Sequence, residues 1–152
     1  MEEKIKKNDL TRPGTLVPNW KQTKPDGTPF SLHSVKARYI LLQFWNDKSG
    51  DCRRLNKELV ELYKKYHPLG FEIVSIYIEI NKKEWTQAIK EDGITWINSS
   101  DLKGWQSKMF TAYDLDRIPY NILINSKYQI VASDLESIAL EFQLKELFPI
   151  KN

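Results

Sequence analysis

The sequence predicts an α/β sandwich, and three observations lead there. Residues 39–45 and 71–80 are apolar almost throughout, as strands covered on both faces are. Residues 50–66 and 82–92 instead space their apolar side chains at helical intervals. A strand pair after Pro119 leads into a last helical segment. The resulting order is β-β-(α)-β-α-β-α-β-α-β-β-α.

Residues 1–12 are charged and aperiodic, which predicts a flexible tail or linker ahead of one domain over 13–152. Val17-Pro18-Asn19-Trp20 and Phe30-Ser31-Leu32 flank the turn signal Pro25-Asp26-Gly27, predicting a short β-hairpin. A turn of helix is expected within 34–38. The strand at 39–45 follows. Leu55, Leu59, Leu62, Tyr63 and Tyr66 then line one face of a helix over 50–66, which His67-Pro68-Leu69-Gly70 stops. The second core strand is 71–80. Trp85, Ala88 and Ile89 point inward from a helix over 82–92 that Gly93 ends, and 95–98 is a short strand. The polar-aromatic connection 99–114 holds a helix around 105–113. Residues 120–125 form a strand, Ser126-Lys127 turns it, and 128–132 is its antiparallel partner. A final helix is expected over 134–148, capped by Ser133 or Asp134, with Leu135, Ile138, Phe142 and Leu147 facing in.

A length of 152 residues suits one domain with a real core. Lysines and arginines number 23 against 20 acidic residues, a balance too even to argue for nucleic acid. Cys52 is the single cysteine, so neither an intramolecular disulfide nor an all-cysteine zinc site can form. With only His33 and His67 beside it, no metal and no cofactor is expected. No apolar run reaches the length of a transmembrane span, and the first residues lack the apolar segment of a secretory signal.

The chemistry-bearing string is Phe44-Trp45-Asn46-Asp47-Lys48-Ser49-Gly50-Asp51-Cys52-Arg53, where the first core strand turns into its helix. A second string, Tyr113-Asp114-Leu115-Asp116-Arg117-Ile118-Pro119, runs up to Ile122-Leu123-Ile124-Asn125. A third leads from Lys64-Lys65-Tyr66 through residues 71–76 to Trp85 and Trp96. From about Thr15 onward these strings resemble the thioredoxin superfamily, in its TlpA/ResA-like, peroxiredoxin-related branch of thiol-disulfide oxidoreductases. That branch reads Phe-Trp-Ala-x-Trp-Cys-x-x-Cys-Arg at the first string. At the second it reads Tyr-x-Val-x-x-Ile-Pro-Thr-x-Phe-Leu-Ile-Asp, with a cis proline. The resemblance implies a thioredoxin-like fold: a three-layer α/β/α sandwich with a central mixed β-sheet and an extra N-terminal β-hairpin.

By that resemblance Ser49 stands where the branch carries its attacking cysteine, Lys48 where it has tryptophan, and Tyr120 where threonine follows the proline. Gln43 stands where thioredoxin proper keeps a buried carboxylate. Disulfide exchange needs one thiolate to attack and a second to resolve, and a hydroxyl cannot form the mixed disulfide. The catalytic pair Ser49 and Cys52 is therefore degenerate, and whether the chain is an enzyme stays open. Ser49 reads as a helix N-cap accepting from the amide of Asp51 or Cys52, a contribution of roughly 1 kcal/mol. Acyl transfer would need a neighbouring base, and neither histidine is expected close by. Cys52 reads as a small apolar side chain under the turn. The helix dipole and Arg53 would lower its pKa, while Asp51 and burial would raise it.

Two functional readings compete. In the first, a domain without dithiol turnover holds a protein or peptide partner at the Ser49/Pro119 face. The main chain of Ile118 pairs there with an extended segment beside Pro119, and Trp45 and Tyr120 supply apolar walls. In the second, Cys52 acts alone, reducing peroxide or forming mixed disulfides. Ser49-Gly50-Asp51-Cys52 matches the Thr/Ser-x-x-Cys of peroxiredoxins, but Trp45 stands where those carry proline, and Arg117 is near their arginine's position without matching it. A serine introduced to trap a mixed disulfide is a third reading, against which Lys48, Gln43 and Tyr120 speak. The resemblance also implies the cell envelope or periplasm, with a cytoplasmic location still open. A monomer is expected.

Overall fold

The computed structural model describes residues 12–149, so the tail expected over 1–12 lies, Arg12 apart, outside the described residues. The hairpin is β1 (Lys21–Thr23) and β2 (Pro29–Ser31), antiparallel with Gln22 opposite Phe30. Asp26 shapes its turn by accepting from both the amide and the hydroxyl of Thr28. The first strand starts later than the aromatic pattern suggested. Val17 and Trp20 are core plugs instead, Val17 donating its amide to the Tyr128 carbonyl and Trp20 its indole N–H to the Tyr113 hydroxyl at 2.9 Å. Just upstream, Gly14 donates to Ile130, which donates back to Thr15. A 3₁₀ turn at Leu32–Ser34 replaces the helical turn expected over 34–38.

Next come β3 (Tyr39–Trp45), α1 (Gly50–Tyr66), β4 (Phe71–Tyr77), α2 (Lys82–Glu91) and β5 (Ile97–Ser99). The helix expected over 105–113 is two pieces, a 3₁₀ turn at Gly104–Gln106 and α3 (Lys108–Ala112). Ser107 divides them, because its hydroxyl caps α3 by accepting from the Met109 amide. The chain closes with β6 (Tyr120–Asn125), β7 (Ile130–Ser133) and α4 (Ser137–Leu147).

The five-stranded sheet has the order β5-β4-β3-β6-β7. β3 runs parallel to β4 and antiparallel to β6, so the sheet is mixed, as expected. Alternate side chains of the central strands enter two cores. Ile40, Leu42, Phe44, Val74 and Ile76 pack beneath α3 and the hairpin. Leu41, Trp45, Ile73, Tyr77 and Leu123 pack beneath α1, α2 and α4. Cover on both faces is why the strand sequences show no polar alternation.

The last helix departs from expectation. It starts at Ser137 rather than 134, and neither Ser133 nor Asp134 caps it; Glu136 is the N-cap, without a side-chain bond. Leu140 and Leu144 face the core, whereas Ile138 is 81% and Phe142 64% exposed. The cause lies in Asn121. Its carbonyl accepts from the Asp134 amide, its side-chain oxygen accepts from the Leu135 amide, and its side-chain N–H donates to the Leu135 carbonyl. That clamp holds Asp134 in the left-handed region at φ 52° and delays the helix. The later start turns Leu140 and Leu144 inward in place of Ile138 and Phe142, while Leu135 and Leu147 pack against the core as expected.

Candidate functional site

The C-terminal ends of β3 and β4 and the start of β6 meet at one end of the sheet. Trp45 lies opposite Tyr77 there, and Phe44 opposite Tyr120. Asn46 leaves β3 and turns the chain by accepting from the amides of Lys48 (3.1 Å) and Ser49 (3.0 Å) on one side-chain oxygen. Ser49 then caps α1, its Oγ accepting from the Cys52 amide at 3.2 Å. Of the two donors expected for this cap, Cys52 is the one used. The hydroxyl is thus occupied in holding the first turn of the helix.

Cys52 is fully buried in the core under α1. Burial pushes its pKa up; the Ser49 hydroxyl and the Asn46 backbone pull it down less, and the Asp51 charge adds to the rise. Arg53, expected to lower it, is paired instead with Asp92 at 2.7 Å and Glu91 at 3.0 Å. Iodoacetamide at pH 8 is therefore expected to alkylate the folded protein at least about tenfold more slowly than a free thiol, as burial disfavours thiolate. Rapid labelling without denaturant would contradict the buried placement. Because the folded pKa lies above the unfolded one, this group also lowers stability as pH rises through the ordinary thiol range.

Trp45, expected to wall a binding face, does not reach it. It is fully buried, donates its indole N–H to Asn98 at 3.2 Å, and packs its ring on Tyr77. β3 places it on the α-helical side of the sheet, where Tyr77 in turn stacks on Trp85.

A buried polar chain runs beneath the turn. Trp96 donates to Ser75, Ser75 to Gln43, Gln43 to Asn56, and Asn56 to Asp92, each step spanning 2.8–3.1 Å. Arg53 closes it on the same Asp92 oxygen. The other oxygen, Oδ1, is buried and lacks a hydrogen-bond partner among the described residues. Gln43 thus lies directly behind α1 as a neutral link. Asn56 and Asp92 were not anticipated. The available signal was Asn56 itself, a polar residue on the inward stripe that carries Cys52, Leu59 and Leu62.

The Ile118-Pro119 peptide bond is cis, and this loop borders a groove of about 580 Å³ against the first half of α1 and the β7–α4 connection. Leu55, Ile118, Pro119 and Leu135 give it an apolar floor. Arg117 braces the loop. It donates to the Pro119 carbonyl at 3.1 Å, pairs with Asp134, and lies over the Tyr120 ring. Tyr120 itself is half-buried against the opposite core. Ile118 and Pro119 therefore line the groove, Tyr120 flanks it through Arg117, and Ser49 and Cys52 lie outside its lining.

Neither histidine approaches Ser49. His33 stacks on Tyr128, and His67 stacks on Tyr63 at the far end of α1. Among the described residues no three His, Cys, Asp or Glu side chains are grouped to hold a metal, and no helix is long and apolar enough to cross a membrane.

Residues 12–146 match the redoxin family. The chain belongs to that family. Among curated proteins this redoxin is 24% identical over 118 residues to the thiol-disulfide oxidoreductase ResA of Bacillus subtilis, covering 78% of this chain and 64% of that protein. It thus spans a little under two thirds of the length of that relative. Among solved structures, a thiol-disulfide oxidoreductase from Bacteroides fragilis is 31% identical, with a TM-score of 0.81 over 88% of this chain and 99% of the other. The thioredoxin domain of a thiol-disulfide oxidoreductase from Bacteroides vulgatus shares the fold at a TM-score of 0.82 and 24% identity, covering 90% and 97% of the two chains. The fold is thioredoxin-like, and the family is that of the thiol-disulfide oxidoreductases.

Proposed function

We propose that this redoxin domain binds an extended segment of a protein partner at the Ser49/Pro119 face and does not turn over disulfides through a cysteine pair. The observation that carries this is the identity and use of residue 49. It is an oxygen side chain capping α1, and the sequence offers no second cysteine to Cys52. Dithiol exchange has no attacking sulfur under those conditions. The groove beside Pro119 supports the binding half of the reading. Its floor is apolar, and among the described residues the Ile118 main chain makes no backbone hydrogen bond. It is free to accept an added strand. Burial of Cys52 and its raised pKa favour this reading over peroxide reduction or mixed-disulfide formation by a lone thiol. The domain acts as a monomer, residues 1–12 serve as a tail or linker, and the family resemblance points to the cell envelope.

Two measurements, one on the unmodified protein and one on a labelled form, test the proposal together. Insulin reduction with dithiothreitol as electron source is expected to run no faster than without the protein. A photo-crosslinker placed at Ile118 is expected to capture extended peptides that compete with one another. Turnover at a thioredoxin's rate would overturn the absence of dithiol chemistry, and absent capture would overturn the binding role.

A further inference from the structure

We propose that the groove beside Pro119 selects extended segments that present a lysine or arginine side chain. This inference rests on the peptide-binding reading and adds the chemistry of the partner. Four carboxylates and two guanidinium groups border the groove. The two cations are already matched: Arg54 pairs with Asp51 at 2.8 Å, and Arg117 with Asp134. Glu58 and Glu136 make no ion pair among the described residues, and both are exposed. They come from different walls, Glu58 from α1 and Glu136 from the residue that precedes α4.

One cation nearby offsets part of that charge. The groove continues between α1 and α4 as a second hollow of about 720 Å³ that shares Glu58. There Glu61 is paired with Lys64 and Glu141 with Lys145, while Lys65, over the Tyr66 ring, keeps its charge and makes no ion pair among the described residues. Two unmatched carboxylates thus share the groove lining with Ile118, against one unmatched cation in the adjoining hollow, on a protein whose net charge is +3. An extended segment paired with Ile118 would lay alternate side chains on the apolar floor. A long cationic side chain could then place its stem along Leu55 and Leu135 and its head between the two glutamates. A norleucine of similar length would gain the floor without the charge.

The probe is a set of fluorescein-labelled eight-residue peptides of alternating valine and serine, with one central position set to lysine, norleucine or glutamate. Binding is followed by fluorescence anisotropy at low salt. The lysine peptide is expected to bind about fivefold more tightly than the norleucine peptide, the scale of two exposed charge pairs. The preference should shrink to within about twofold in the Glu58→Gln/Glu136→Gln double variant, and likewise near half-molar salt, where charges are screened. Glu146→Gln, an exposed charge change outside the groove, should leave it unchanged. Equal binding of lysine and norleucine peptides, a preference that survives the double variant, or one that Glu146→Gln also erases would each overturn the charge selection while leaving peptide binding standing. Absence of binding by every peptide would overturn both.

Discussion

Replacing Ser49 with cysteine is expected to give a protein that forms a disulfide with Cys52 and gains measurable insulin-reducing activity. The two positions are the N-cap and third residue of α1, one helical turn apart. Their Cα atoms fall within the roughly 4.4–6.8 Å span a disulfide bridges. The introduced thiol would stand at the helix N-terminus, where the dipole favours thiolate. Cys52, buried behind it, would serve as the resolving thiol. With oxidised glutathione the two thiols lose two electrons and two protons, forming one S–S bond and releasing two glutathione thiols. Intact mass should show the loss of two hydrogens, and thiol titration should fall to zero. Two thiols surviving the oxidant would contradict the site geometry. The original cap would be weakened, at a cost of about 1 kcal/mol in the reduced form.

The second large effect is on stability. Trp45→Ala is expected to cost about 3–5 kcal/mol, the range for removing a large buried aromatic. Trp45 is fully buried and holds Asn98 by its indole N–H, as Trp85 also does at 3.4 Å. Against a typical total of about 5–15 kcal/mol, such a loss leaves little margin. Urea unfolding should shift to a much lower midpoint at unchanged slope. Trp45→Phe should lose far less, because the ring still packs on Tyr77 and Trp85 still donates to Asn98. A Trp45→Ala protein of normal stability with weakened peptide binding would return this residue to the groove wall.

The sheet was legible in the sequence because its strands are covered twice and carry continuous apolar runs. β3 and α1 have the bounds that pattern and punctuation predicted, 39–45 and 50–66. The Ser49 cap was legible too, since serine before an amphipathic run has one strong local role. α4 was legible only in part: Leu135 and Leu147 pack against the core as expected, but the same spacing offers Leu140 and Leu144 as an alternative to Ile138 and Phe142. Local spacing cannot choose between them; the choice is made by Asn121, on another element. The same holds for Trp45. Its neighbours in sequence place it beside the Ser49 turn, and only the pleat of β3 decides that it points away from the groove. Asn56 and Asp92 escaped notice because their partners lie on separate elements, the two residues standing 36 positions apart in the chain.

The ties of Gly14, Thr15 and Val17 to Tyr128 and Ile130, and of Trp20 to Tyr113, 93 positions on, set a timetable for biosynthesis. A ribosome delivers the first core plugs long before their partners exist. Trp20 therefore waits for Tyr113 and Val17 for Tyr128, both open to chaperones until those residues have emerged. The N-terminal plugs of this domain thus settle only after β3, β4 and β5 have been made.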